Sequence, residues 1–325
     1  MLATITIYLV IDNVERANYP PYGLDYPDGT PTGRFSNGYL VADYLAMMMG
    51  FDQSPPAYLS TISVGNKLSR QANGVNFASG SSGVLDSTGQ NVSISMNTQV
   101  MFMGDVKRIL ELTEGESTAN HRLSRSIFIF GVASNDIFFF YIQNGHTNQT
   151  QSHDFISMLI SKLKNQLKRV YELGGRKFVV FGTGQLGCVP TARSFMTDHR
   201  CLGDLNGLSV LFNRYMKPKI LKLQSTFPEM KVSYIDTYGI TLSMESHPEK
   251  YGLKRFDVPC CGNGVFQVGM STCMPNSTYC SNRDEFFQWD YIHPSQNAYY
   301  LIAKSAFYGS RRYTTPINVE KLVES

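Results

Sequence analysis

Two residues near the C-terminus, Asp290 and His293, have the types and spacing for acid–base chemistry on one nucleophile. They sit in Trp289-Asp290-Tyr291-Ile292-His293-Pro294, at the mouth of an expected helix. There a carboxylate can orient an imidazole, and the imidazole can take a proton from an attacking hydroxyl. Asn135 follows an apolar run and can donate its side-chain amide to an oxygen that gains negative charge. The Gly- and Ser-rich turn Ser79–Gly83 can aim backbone N–H groups at the same point. Each feature alone has a plainer reading, with Asn135-Asp136 as a turn or cap and Ser79–Gly83 as an ordinary connection. Their joint placement is what points to a site.

Such residues need elements to hold them. Strand and helix signals alternate along the chain. Strands are expected at 4–11, 74–78, 126–131, 177–181 and 231–236. Helices are expected at 38–50 with Gly50 as its stop, over an amphipathic stretch at 95–112, at 154–173 closed by Gly174-Gly175, and at 204–226. A last helix starts near Ser295, and the cysteine-rich stretch 258–283 reads as irregular. Short apolar strands separated by helices imply an α/β fold whose parallel sheet is covered on both faces. In such folds chemistry gathers at the carboxyl ends of the strands, where Ser79–Gly83, Ala133–Asp136 and Asp290–His293 all fall. No internal repeat or linker divides residues 1–325, which read as a single domain.

Composition excludes several classes. Hydrophobic residues make up 42% and charged residues 17%, which suits a buried globular core rather than a disordered or coiled-coil chain. A net charge of +3 without a basic run gives no support for nucleic acid or an anionic membrane. The N-terminal apolar run is too short to span a bilayer. The six cysteines contain no CxxC, and neither Asp257 with Cys260 nor His247 with Glu249 has the further ligands a metal needs. His121, His146, His153, His199 and His247 lie in polar settings with no spaced acidic partner and read as solvent-facing. Gly182-x-Gly-x-x-Gly187 follows a strand, but Cys188-Val189-Pro190 breaks the helix a dinucleotide loop requires. Neither a metal nor a cofactor is expected.

An even cysteine count and sequons at Asn91, Asn148 and Asn276 favour an oxidising, secretory route. Cys188 and Cys201 would close a short loop, leaving three possible pairings for Cys260, Cys261, Cys273 and Cys280. Yet residues 1–10 lack a basic start and a small-residue cleavage site, and their Thr/Ile alternation fits a strand better than a signal peptide.

Taken in order, residues 17–23 (ANYPPYG), 31–38 (PTGRFSNG), 74–80 (GVNFASG), 134–136 (SND), 174–178 (GGRKF), 186–190 (LGCVP), 260–262 (CCG) and Asp290-x-x-His293-Pro294 resemble the plant GDSL esterases/lipases of the SGNH hydrolase superfamily. The resemblance implies a flavodoxin-like, three-layer α/β/α sandwich and cofactor-free hydrolysis of esters of lipids, acylated sugars or other metabolites, usually outside the cell. It assigns His293 as general base, Asp290 as its carboxylate partner and Asn135 as the side-chain oxyanion donor. It places the backbone oxyanion donor at Gly80 or Ser81, with the count from Asn76 favouring Ser81. Ala133 stands where the family usually has glycine.

The departure lies at the start. The family has Gly-Asp-Ser after its first strand, and the serine attacks the ester. Here Ile11, Asp12 and Asn13 fall against those positions, and an asparagine cannot become an alkoxide. Two expectations follow: an active serine esterase whose first segment is missing from this sequence, or an inactive relative that binds acyl or ester ligands without turnover. A purely structural role has little support beside the retained Asp290, His293 and Asn135.

Overall fold

The computed structural model describes residues 16–63, 74–262 and 273–325. The strand expected at 4–11 and the Ile11–Asn13 segment lie outside them. Within them, β1 (Ile127–Gly131), β2 (Lys177–Phe181) and β3 (Lys231–Ile235) run parallel and side by side, with Ile127 opposite Lys177 and Lys177 opposite Lys231. A short parallel pair, β4 (Arg255–Pro259) with β5 (Phe286–Gln288), stands apart from this sheet. The edge strand β6 (Thr314–Thr315) closes the main sheet antiparallel against Tyr234 and Ile235.

Side-chain alternation explains the layers. Phe128, Phe130, Phe178, Val180, Val232 and Tyr234 point into one core, while Ile127, Ile129, Val179, Phe181 and Ile235 point into another. The first core is closed by the helices Met96–Glu114, Gln149–Glu172 and Gly203–Leu221; the second by Val41–Met48, Thr237–Ser246 and Gln296–Tyr308. Two covered faces on a largely parallel sheet make the α/β, three-layer arrangement that the alternation of elements predicts.

Local sequence accounts for the helices. Gln149–Glu172 buries Ile156, Leu159, Ile160, Leu163, Leu167 and Val170 at helical spacing. Asn148 and Gln151 form a capping box at its start, and Gly174 follows its end at φ +109°. It starts five residues before the expected Asp154, because that box extends the helix through polar residues. The helix expected over 204–226 is two, Gly203–Leu221 and Leu223–Thr226.

One expected strand is different. Residues 74–78 make a single parallel bridge, Asn76 with Ala57, and do not join the main sheet. Asn76 N–H donates to Pro56 O at 2.9 Å and Tyr58 N–H to Asn76 O at 2.8 Å. The Asn76 side chain then accepts the Ala78 amide at 3.0 Å, turning the backbone off the ladder after one pair.

A third, smaller core holds Ala17, Tyr22, Phe35, Cys260, Cys261, Cys273 and Trp289. Disulfides Cys260–Cys280 and Cys261–Cys273 knit it, and Cys188–Cys201 forms as the short loop suggests. Arg34, buried, locks this region to the helix Val41–Met48 by a two-pronged pair with Asp43, Nε to Oδ2 and Nη2 to Oδ1 both at 2.8 Å. The segment around β5 and the segment near the N-terminus thereby share one core.

Candidate active site

Asp290 and His293 lie on the short connection between β5 and the helix Gln296–Tyr308. That connection is tied at both ends. Trp289, fully buried, donates its backbone N–H to His293 O at 2.8 Å, and the Ser295 backbone N–H donates to Phe287 O at 2.8 Å. The Ser295 hydroxyl accepts the Ala298 amide as the cap of the following helix. The turn so formed brings His293 Nδ1 to 2.8 Å from Asp290 Oδ2. With the Nδ1 N–H donating to the carboxylate, Nε2 is the ring nitrogen that carries the lone pair.

Four donors meet at the carboxylate. Oδ1 accepts the Ile292 and His293 amides at 2.8 and 2.7 Å, and Oδ2 accepts the Tyr22 hydroxyl at 2.7 Å besides the imidazole. Burial opposes the charge of Asp290, but the neighbouring imidazole and the His293 and Ile292 N–H groups outweigh it and hold the carboxyl below the usual range. Burial, reinforced by the Asp290 charge, pushes the Tyr22 phenol far above its ordinary value, so it remains a donor. Phe35, itself buried, stacks on the imidazole at 4.6 Å between centroids with 28° between planes. His293 itself is partly exposed, at 28% of its side chain, whereas Asp290 is buried.

The second set follows β1. Asn135 donates an amide N–H to Ser82 O at 2.9 Å, which fixes the side chain against the Ser79–Gly83 turn. Asp136, buried, accepts the Val84 and Leu85 amides at 2.8 and 3.0 Å and the Thr88 hydroxyl at 2.7 Å. Its carboxylate lies so close to Gly83 that an added Cβ there would sit 2.4 Å from Oδ1. Ser81 adopts φ +55° and Ala133 φ +83°, so both turns use left-handed backbone without glycine. The structure thus joins Asp290 to His293 directly and ties Asn135 to the turn that carries Ser81.

The remaining candidates fall away or change. His146 does have an acidic partner, Asp204 Oδ2 at 2.8 Å, which is distant in sequence; the pair is exposed. His153 meets Tyr215 at 3.3 Å. Cys188, Cys201 and Glu245 approach one another, but both sulfurs are spent in a disulfide and cannot serve as thiolate ligands. Cys260 is likewise paired, and Asp257 sits against Arg255. After β2, Thr183 binds Asn213 through its amide, and a short 3-10 turn, Leu186–Cys188, replaces the helix a dinucleotide loop needs.

A family model described as GDSL-like lipase/acylhydrolase matches residues 13–306, nine-tenths of the chain and all of the segments above. The chain belongs to that family. GDSL esterase/lipase At1g33811 of Arabidopsis thaliana is 37% identical over 95% of this chain and 85% of its own length. GDSL esterase/lipase At1g71691 of the same plant is 35% identical over 96% of this chain and 80% of its own, and GDSL esterase/lipase 7 is 34% identical over 97% and 87%. Membership in the GDSL-like family supports ester or lipid hydrolysis as the general function.

Sequence reasoning overlooked two site neighbours in this GDSL-like chain, Tyr22 and Phe35. Both lie in the 17–38 segments, whose residues read as family markers without an assigned task. Their signal was weak: two aromatics more than 250 positions from the residues they touch. In sequence Asn135-Asp136 reads as a turn or a cap, and the hold of Asp136 on the Val84 and Leu85 amides and the Thr88 hydroxyl is the stronger form of that reading.

Proposed function

We propose that this chain binds carboxylic esters of lipids or acylated metabolites, with His293 as general base, Asp290 as its orienting carboxylate, and Asn135 with the Ser81 backbone N–H as oxyanion donors. The 2.8 Å contact between His293 Nδ1 and Asp290 Oδ2, in a GDSL-like chain, carries the reading. In hydrolysis, His293 Nε2 takes the proton of the attacking oxygen as that oxygen bonds to the carbonyl carbon. Asp290 stabilises the imidazolium, and Asn135 and Ser81 receive the charge that forms on the carbonyl oxygen. Collapse breaks the ester C–O bond, and the departing alcohol collects the proton from Nε2. Each step is a proton transfer or a charge stabilised by the chain's own groups.

Asn13 favours a second reading for these 325 residues: ester binding with water, rather than an alkoxide, as the attacking group. Turnover is then slow and forms no acyl-enzyme. An oxidising, secretory setting is part of the proposal, supported by the three disulfides and by exposed Asn91, Asn148 and Asn276. Among the described residues no helix is long and apolar enough to cross a membrane.

Labelling with a fluorophosphonate probe, read by intact mass, tests the two readings together. The 325-residue chain is expected to stay unlabelled. Asn13→Ser is expected to gain one label, which His293→Ala removes in the double variant. Stoichiometric labelling of the parent would overturn the nucleophile-free reading, and an unlabelled Asn13→Ser would remove position 13 as the nucleophile's place.

A further inference from the structure

The segments 17–23 and 31–38 supply none of the groups in the proposed proton transfers, yet they close around the dyad. Tyr22 donates to Asp290 Oδ2 at 2.7 Å across 268 positions of sequence, and Phe35 stacks on His293. Asn37 Oδ1 accepts the Gln296 amide at 2.8 Å, just past the dyad. Asp25 binds Arg283 in a two-pronged pair at 2.6 and 2.7 Å, just before it. Two of these contacts fall on Asp290 and His293 themselves, and the other two, one of them from Asp25 between the two segments, hold Arg283 and Gln296 on the elements that flank them.

Tyr22 is the most informative of these contacts. Its ring is fully buried and meets Tyr19 and Phe35 edge to face, at 5.5 and 5.8 Å, so it cannot swing away. Its hydroxyl donates to Asp290 Oδ2, and the Cys261–Cys273 disulfide belongs to the same small core that encloses the ring. A carboxylate offers roughly four lone-pair sites, and here Ile292, His293 (twice) and Tyr22 supply four donors.

We propose that Tyr22 is a positioning residue for the dyad: held by its buried, edge-packed ring, it fixes the rotation of Asp290 and limits the basicity of the oxygen that faces His293. A carboxylate sharing one oxygen between a phenol and an imidazole pulls less strongly on the imidazole proton. Removing the phenol donor leaves Asp290 more basic and strengthens its hold on protonated His293. Phe35 adds a geometric constraint, since a ring stacked on one face of the imidazole keeps its plane aligned with the carboxylate. The ionisable groups around the carboxylate are His293, Tyr22 and Tyr299, with Tyr19 behind Tyr22, while Arg283 and Asp25 satisfy each other. The proposal rests on the reading of Asp290 and His293 as orienter and base.

The test is an NMR titration of the His293 imidazole nitrogens in the full 325-residue chain, which needs neither substrate nor nucleophile. Tyr22→Phe is expected to remain folded and to move the His293 titration to higher pH by about one unit. Site-specific 3-fluorotyrosine at position 22, with a more acidic phenol and unchanged packing, is expected to move it the opposite way. An unchanged titration in both variants would overturn the role of Tyr22. Should Tyr22→Phe fail to fold, the fluorotyrosine shift alone decides. If Asp290→Asn leaves the His293 nitrogens unaffected in the parent, the dyad reading has failed instead, which is a separate result.

Discussion

Two buried aspartates, Asp136 next to Asn135 and Asp290 beside His293, are built alike and behave in opposite ways. Each accepts two backbone amides and at least one hydroxyl at distances between 2.7 and 3.0 Å. Yet burial pushes Asp136 above the usual carboxylate range, while Asp290 is held below it. The difference is the imidazole: Asp290 has His293 at 2.8 Å, and Asp136 has only neutral donors. Neutral hydrogen bonds can shape a turn around a buried carboxyl without offsetting its burial, whereas a neighbour able to carry positive charge brings the carboxyl below the usual range. Asp136 thus serves the backbone of the Ser79–Thr88 turn, and Asp290 serves a side chain that can move protons.

The sharpest way to break this contrast is by substitution. Asp136→Ala orphans two buried amides and a hydroxyl and is expected to cost roughly 3 kcal/mol in urea unfolding. Asp290→Asn keeps an acceptor for the Ile292 and His293 amides and is expected to cost about 1 kcal/mol. If Asp290→Asn is the more damaging of the two, the division between backbone service and proton service is wrong.

Removing disulfides locates the same division. Replacing Cys261 and Cys273 together by alanine removes a cross-link of 12-residue separation from the core that holds Tyr22 and is expected to cost about 3 kcal/mol. It is also expected to disturb the His293 NMR signals. Removing Cys188–Cys201, whose separation is 13, is expected to cost a similar amount with those signals unchanged.

Acid titration separates the aspartates by sign. The depressed Asp290 contributes stability that is present above the ordinary aspartate value of 3.8 and is lost as pH falls through its lower folded value. The raised Asp136 contributes stability that is full below 3.8 and is lost as pH rises through its higher folded value. Stability–pH curves should therefore lose their acid-side fall in Asp290→Asn, and their fall just above 3.8 in Asp136→Asn. Curves that lose the same limb in both variants would contradict the contrast.

The smallest effect is at Ala133, which holds φ +83°. Ala133→Gly relieves the left-handed strain at some entropic cost and is expected to raise stability by about 0.5 kcal/mol in thermal unfolding.

Much of this was legible in the residues, for identifiable reasons. β2 occupies 177–181 as expected, because the apolar run 178–181, set off by Gly174-Gly175 before it and Gly182 after it, leaves little freedom. Asp290 and His293 were legible because their partnership is local, three positions apart and closed by Ser295. The bridge at Asn76 was not, since an apolar run does not reveal which backbone it will meet, and Asn76 ends its own ladder through its side chain. Nor was the Tyr22–Asp290 bond, which depends on a third core assembled from segments at opposite ends of the chain. The pairing of Cys260 with Cys280 and Cys261 with Cys273 was open for the same reason: adjacent cysteines face different partners only once that core exists.

Hydrolysis of p-nitrophenyl butyrate by the 325-residue chain, followed from the first turnover beside Asn135→Ala and His293→Ala, tests the central claim most directly. The prediction is a steady rate above buffer without a stoichiometric burst, falling by roughly 10²-fold or to the buffer level in Asn135→Ala and likewise in His293→Ala. Equal rates in all three proteins, or a full burst from the parent, would contradict it.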